Sequence, residues 1–223
     1  MLFRSYDRNS GYTNGSVSVV WKTATFNYDR GSKISVDSMD DEETFGIAFG
    51  QASSTLMTDK VAPEGDAFTF ATLAGIPGIS KAAATTYTDA SEFLAALIAA
   101  KNRMDEDEVP EENRILYATP TLINGVMGLD TTKSREVLRR FSDVVAVPQT
   151  RFYTAIHQNS GTVVQKGGET TSDETAGGYA KDESGKDINF MVIHRGAVIQ
   201  FSKHIAPKVV TPEQNPEIGR AHV

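Results

Sequence analysis

Three observations predict an α+β fold for this 223-residue chain. Gly15 to Val36 carry the two-residue alternation of a strand, Phe45 to Leu56 repeat at helical spacing, and short strand-like and helix-like runs follow one another beyond Gly78. Together they predict an extended β-loop, one long helix and a compact α/β region.

Taken in order, Tyr6 to Gly15 reads as a polar loop tip, because the Asn and Gly of Asn9-Ser10-Gly11 and Thr13-Asn14-Gly15 tolerate positive φ. Val17, Val19 and Trp21 then share one strand face, with Ser16, Ser18 and Lys22 opposite. The phase shifts near Thr25 and Phe26, as a bulge would cause. A ribbon of one or two strands is marginal in water, so this one needs cover from neighbouring subunits. Its strand partner is either a segment preceding this sequence, the preferred reading, or the other arm of a hairpin turning at Asp29-Arg30-Gly31.

The run Asp37-Ser38-Met39-Asp40-Asp41-Glu42-Glu43-Thr44 places carboxylates at the positive end of a starting helix, with Asp40 or Asp41 as the cap. Phe45, Phe49, Ala52 and Leu56 form its apolar stripe. Pro63 lacks a donor and disfavours helical geometry at Ala62, so the rod is expected to kink or stop there. It should resume through Ala67, Phe68, Ala71 and Leu73 and end at Gly75-Ile76-Pro77-Gly78. Unbroken, it would span roughly 45 Å at about 1.5 Å per residue, long for a small core.

In the α/β region, Asp89 and Glu92 resemble a capping box opening a helix with Phe93, Leu94, Leu97, Ile98 and Met104 on one face. Asp105-Glu106-Asp107-Glu108 and Pro110 end it. Arg114 to Ala118 is a strand, Thr119-Pro120 a helix start, and Gly128 its stop. Lys133 to Phe141 is a short helix; Val144 to Val147 and Arg151 to Ile156 are strands. His157 to Asp187, rich in Gly, Ser, Thr and Asp, is a long loop or hairpin extension. Asn189 to His194 returns as a buried-type strand, Ala197 to Ser202 as a helix and Lys208 to Val210 as a final strand.

The two ends read as foreign. Leu2-Phe3-Arg4-Ser5 can be written back as CTC TTC CGA TCT. The reverse complement of that string, AGATCGGAAGAG, read one frame over with a G before it, spells Glu217-Ile218-Gly219-Arg220 as GAG ATC GGA AGA, and its last base continues into GCA CAC for Ala221-His222. Such an inverted repeat resembles a sequencing adapter. Residues 1–5 and 218–223 are therefore expected to be adapter-derived, and they are set aside from the fold.

Composition excludes several classes. With 22 basic and 29 acidic residues the formal charge is −7, and no basic stripe offers a footprint for direct DNA recognition. There is no cysteine, hence no disulfide, thiolate metal cluster or cysteine nucleophile. The longest apolar run, Phe93 to Ala100, is far short of a membrane span. Gly128-Leu129-Asp130-Thr131-Thr132-Lys133-Ser134 approaches a P-loop, but Thr132 stands where that loop needs glycine, and a helix rather than a strand precedes it. An N-cap at Asp130 or Thr132 explains it better. His157, His194 and His204 lack metal-ligand spacing, and the acidic clusters Asp37 to Glu43 and Asp105 to Glu112 lack the EF-hand pattern. No catalytic residue, cofactor or metal site is expected.

Several motifs in fixed order nonetheless form a pattern. They are Trp21-x-Thr23-x-Thr25-Phe26-Asn27-Tyr28-Asp29-Arg30-Gly31, Val36-Asp37-x-Met39-Asp40-Asp41-Glu42-Glu43-Thr44, Arg114-Ile115-Leu116-Tyr117-Ala118-Thr119-Pro120, Val147-Pro148-Gln149-Thr150-Arg151-Phe152 and Asn189-Phe190-Met191-Val192-Ile193-His194. In order and spacing they resemble the major capsid proteins of tailed phages and prophages with the Hong Kong 97 fold. That resemblance, over Tyr6 to Pro216, implies a fragment lacking its native N- and C-termini, with a partial extended loop at 6–40, a peripheral-domain spine helix at 41–79, an axial domain at 80–210 and the start of a truncated C-terminal return at 211–217. It also implies a non-enzymatic subunit, made in the host bacterial cytoplasm and residing in the virion. Its partners would be itself, as pentamers and hexamers, other virion or scaffold proteins, and packaged DNA without sequence specificity; no membrane is involved. Val17, Val19, Trp21, Phe26 and Tyr28 are the expected apolar inter-subunit contacts, and Arg30 and Asp37 the expected charge pair. Some relatives cross-link subunits through a lysine, but no motif assigns Lys22 or Lys33 that role. The alternatives are an encapsulin-like nanocompartment shell of the same fold, and a soluble enzyme with a carboxylate site.

Overall fold

The computed structural model describes residues 8–9, 18–23, 25–31, 47–164, 170–172 and 177–201. The chain divides into two units, Met1–Ser35 and Val36–Val223. Helix and strand are mixed in it, as the α+β reading requires.

In the first unit, residues 18–23 and 25–31 adopt no regular secondary structure, although a ribbon was expected over Gly15 to Val36. Alternation of side chains permits a strand, but only a hydrogen-bonded neighbour makes one. The acidic cap at Asp37 to Thr44 and the strand at Lys208 to Val210 lie outside the described residues.

The second unit begins with the rod. Helix α1 (Ile47–Leu56) passes through a π-helical turn, Met57–Val61, into α2 (Ala62–Gly75). Pro63 does not stop the rod, which resumes as expected; the α-helical pattern gives way to the π-helical turn just before it. The Ala62 amide donates to the Met57 carbonyl five residues back, so the ladder is already offset where the proline lacks its donor. The rod ends where expected, with Ile76 extended and Gly78 at φ 86°, a backbone conformation that favours glycine.

The α/β region follows. Helix α3 (Ala90–Glu106) is capped by Asp89, whose carboxylate accepts from the Ser91 amide; the Glu92 carboxylate accepts from the Thr88 amide, one residue before the cap. Strand β1 (Arg114–Ala118) leads through α4 (Pro120–Gly128) and α5 (Thr132–Arg139) to β2 (Asp143–Ala146). The cap of α5 is neither Asp130 nor Thr132 but Thr131, in a reciprocal box with Ser134. The strand expected at Arg151 to Ile156 is instead a 3-10 turn, Gln149–Arg151, and a single bridge between Tyr153 and Asp187. Strands β3 (Ile156–Gln158), β4 (Thr162–Val164), β5 (Thr170–Ser172) and β6 (Tyr179–Lys181) build the hairpin extension, β3 pairing β6 and β4 pairing β5, all antiparallel. Strand β7 (Phe190–His194) then returns to β1. The helix expected at Ala197 to Ser202 is a 3-10 turn, Arg195–Ala197, because Val198 is already extended.

The sheet has the order β2-β1-β7, with β1 parallel to β2 and antiparallel to β7. Its two faces carry two cores, as the period of two dictates. On one face Leu116 and Ala118 join Phe93, Leu97, Ile123 and Val126 from α3 and α4. On the other, Tyr117 and its register partners Val145 and Met191 pack with Phe70 and Ala74 of α2, Phe152 and Ile188. Phe70 meets Tyr117 and Phe152 edge-on at centroid distances of 5.4 and 4.8 Å. Arg151 donates to Asp66 and Gln158 to Glu64, tying the same half of the rod to the base of the extension. The rod's C-terminal half is thereby fixed to the sheet.

Candidate self-association surface

The contact residues expected from the sequence lie in the first unit. Val17 and Asp37 are outside the described residues. Val19 is 76% exposed, Trp21 93% and Phe26 58%. Tyr28 is half-buried and Arg30 exposed, and each has an interaction partner. Alternation places Val20 on the polar face, outside the expected contact set; at 75% exposure it extends the apolar stretch to Val19-Val20-Trp21. The signal was a simple apolar triplet, which periodicity hides.

In the second unit, the rod buries little. Among its described side chains only Glu64, Ala67 and Ala74 are buried, all within α2, and Ile47 and Val61 face outward. Between α2 and β3 runs a shallow groove of about 300 Å³, lined by Phe68, Ala71 and Ile156 among others. Ile199 and Phe201, beyond β7, are also largely exposed.

The titratable groups are engaged structurally. The fully buried Arg114 guanidinium donates to Asp105 at 2.6 Å and to the carbonyls of Pro110 and Val109, clasping the acidic turn after α3. Hydrogen bonds from Lys101 and then Arg114 hold the Asp105 carboxyl below its ordinary pKa. The Arg140 guanidinium does the same for Glu111. His194 Nδ1 accepts from the Gly196 amide, His157 stands exposed on β3, and His204 lies outside the described residues. Among the described residues no group of His, Asp or Glu side chains is arranged to hold a metal ion. The P-loop-like run turns at Asp130, at φ 47°, between two helices, and its reciprocal box engages the Thr131 and Ser134 amides and the Ser134 hydroxyl. No described helix is long and apolar enough to cross a membrane.

The chain matches no protein-family model, no curated protein and no solved structure.

Proposed function

We propose that this chain is a major capsid subunit of a tailed phage or prophage, assembling through pentamers and hexamers into an icosahedral head around double-stranded DNA. The observation that carries the reading is the exposure of Val19, Val20, Trp21 and Phe26 in a segment without strand pairing. A contiguous apolar stretch of this kind marks a surface that another chain covers. The rod adds to it, since 29 helical residues bury so few of their described side chains. The ordered motifs from Trp21 to His194 supply the resemblance to the capsid family. The net charge of −7 supplies no attraction for DNA, and by the family resemblance none is needed, since a separate motor drives packaging.

The test is assembly of the chain extended by the coding sequence that flanks it, in host cells that carry the neighbouring genes, followed by sedimentation velocity and negative-stain electron microscopy. Closed shells containing DNA are expected. Shells filled with protein would assign the chain to a nanocompartment instead, and a compact monomer at high concentration would defeat the shell reading.

A further inference from the structure

At the carboxyl ends of the parallel strands β1 and β2 lies an open cleft of about 440 Å³. Thr119 and Pro120 border it from the β1–α4 junction, Pro148 and Gln149 from the loop after β2, Tyr87 from the segment before α3, and Asn189 from the start of β7. Ligands of open α/β sheets collect at such places, where a parallel strand hands over to a helix.

The second observation is the Thr119 side chain. Thr119 is only 8% exposed and occupies the N-cap of α4 at φ −67°, ψ 145°. An N-cap threonine ordinarily accepts a bond from the first-turn amides. Here the hydroxyl caps nothing and has no partner among the described residues. The Leu122 amide donates to the Thr119 carbonyl at 3.1 Å instead. A buried hydroxyl left without a partner is unfavourable unless something else supplies one. Next to it, the Thr121 amide follows Pro120 in the first turn and has no acceptor within the helix.

Thr119 and Thr121, whose hydroxyl and amide are left without acceptors, thus both line the cleft at the positive end of the α4 dipole. No lysine, arginine or histidine lines it, so the second charge of a phosphate would go uncompensated. Pro120, Leu122, Pro148 and the Tyr87 ring supply apolar walls. Burial raises the Tyr87 pKa.

We propose that this cleft binds a small organic carboxylate, the Thr119 hydroxyl and the Thr121 amide donating to its oxygens while the apolar walls take a short hydrocarbon body.

Saturation-transfer NMR on the whole chain tests it, since the signal is read on the ligand whether the protein is a single subunit or a shell. Isobutyrate should bind saturably, and its neutral isostere isobutyramide and methyl phosphate should each bind at least tenfold more weakly. Thr119→Val should weaken isobutyrate roughly tenfold, and Thr119→Ser should retain it. Equal binding of isobutyramide, tighter binding of methyl phosphate, no saturable isobutyrate signal, or indifference to Thr119→Val would each overturn the assignment.

Discussion

Replacement of Trp21 by alanine separates assembly from folding. Trp21 is 93% exposed and belongs to a unit of its own, Met1–Ser35, so its ring contributes almost nothing to the stability of the sheet and its two cores. In a shell the ring would be covered. A tryptophan buries roughly 200 Å², which at about 25 cal/mol per Å² is on the order of 5 kcal/mol for complete burial. Alanine retains a fraction of that area, and measured hot-spot truncations run at about 2–4 kcal/mol. A loss of about 3 kcal/mol per contact raises its dissociation constant roughly a hundredfold. The concentration at which shells appear in sedimentation velocity should therefore rise by at least that order, while thermal unfolding of the subunit shifts by less than about 0.5 kcal/mol, the usual range for exposed sites. Unchanged particle yield by electron microscopy would refute the reasoning. So would a large fall in subunit stability, because the exposed ring would then be part of the subunit's own fold.

Three further outcomes concern the subunit itself. Arg114→Met removes donors to Asp105, Pro110 and Val109 from a side chain only 1% exposed, and should lower stability in urea unfolding by about 3 kcal/mol; a change below about 1 kcal/mol would mean that the clasp is dispensable. The Asp105 carboxyl is held below its ordinary value of 3.8, so its contribution is complete at neutral pH and is lost as pH falls through the lower folded-state value. Asp105→Asn should therefore flatten the acid limb of a stability-against-pH curve, and an unaltered limb would deny Asp105 that role. At Gly185 a Cβ would lie 2.5 Å from the Ala155 carbonyl oxygen and 2.9 Å from that of Asp182, both backbone atoms, so Gly185→Ala should destabilise by about 1–3 kcal/mol. Hydrogen exchange should show the loss concentrated in β3 and β6, and protection as in the parent chain would count against the close approach.

Features decided within a few residues of sequence were legible. Asp89 before α3, Thr119-Pro120 before α4 and Gly75 to Gly78 after the rod each act on their own turn, and each stands close to where the sequence places it. The apolar exposure of Val19, Trp21 and Phe26 was legible for the same reason, because no local pattern offered them cover. The cap of α5 shows the limit of that logic: Asp130, Thr131 and Thr132 are all chemically competent, and the reciprocal bond with Ser134 selects Thr131.

By itself, then, the sequence determined the mixed helix-and-strand character, the helix limits set by caps and glycines, the excess of negative charge and the stretch of apolar residues without a local partner. Only the tertiary structure decided which strands pair. It placed β1 between a parallel β2 and an antiparallel β7, closed the extension by pairing β3 with β6, and set Phe70 against Tyr117 and Phe152. It also carried the rod past Pro63 on a π-turn and left the Thr119 hydroxyl uncapped beside a cleft. The physical reason is range: a cap or a turn is closed by neighbours in sequence, whereas a strand edge, a packed ring or a cleft exists only when residues far apart in the chain meet.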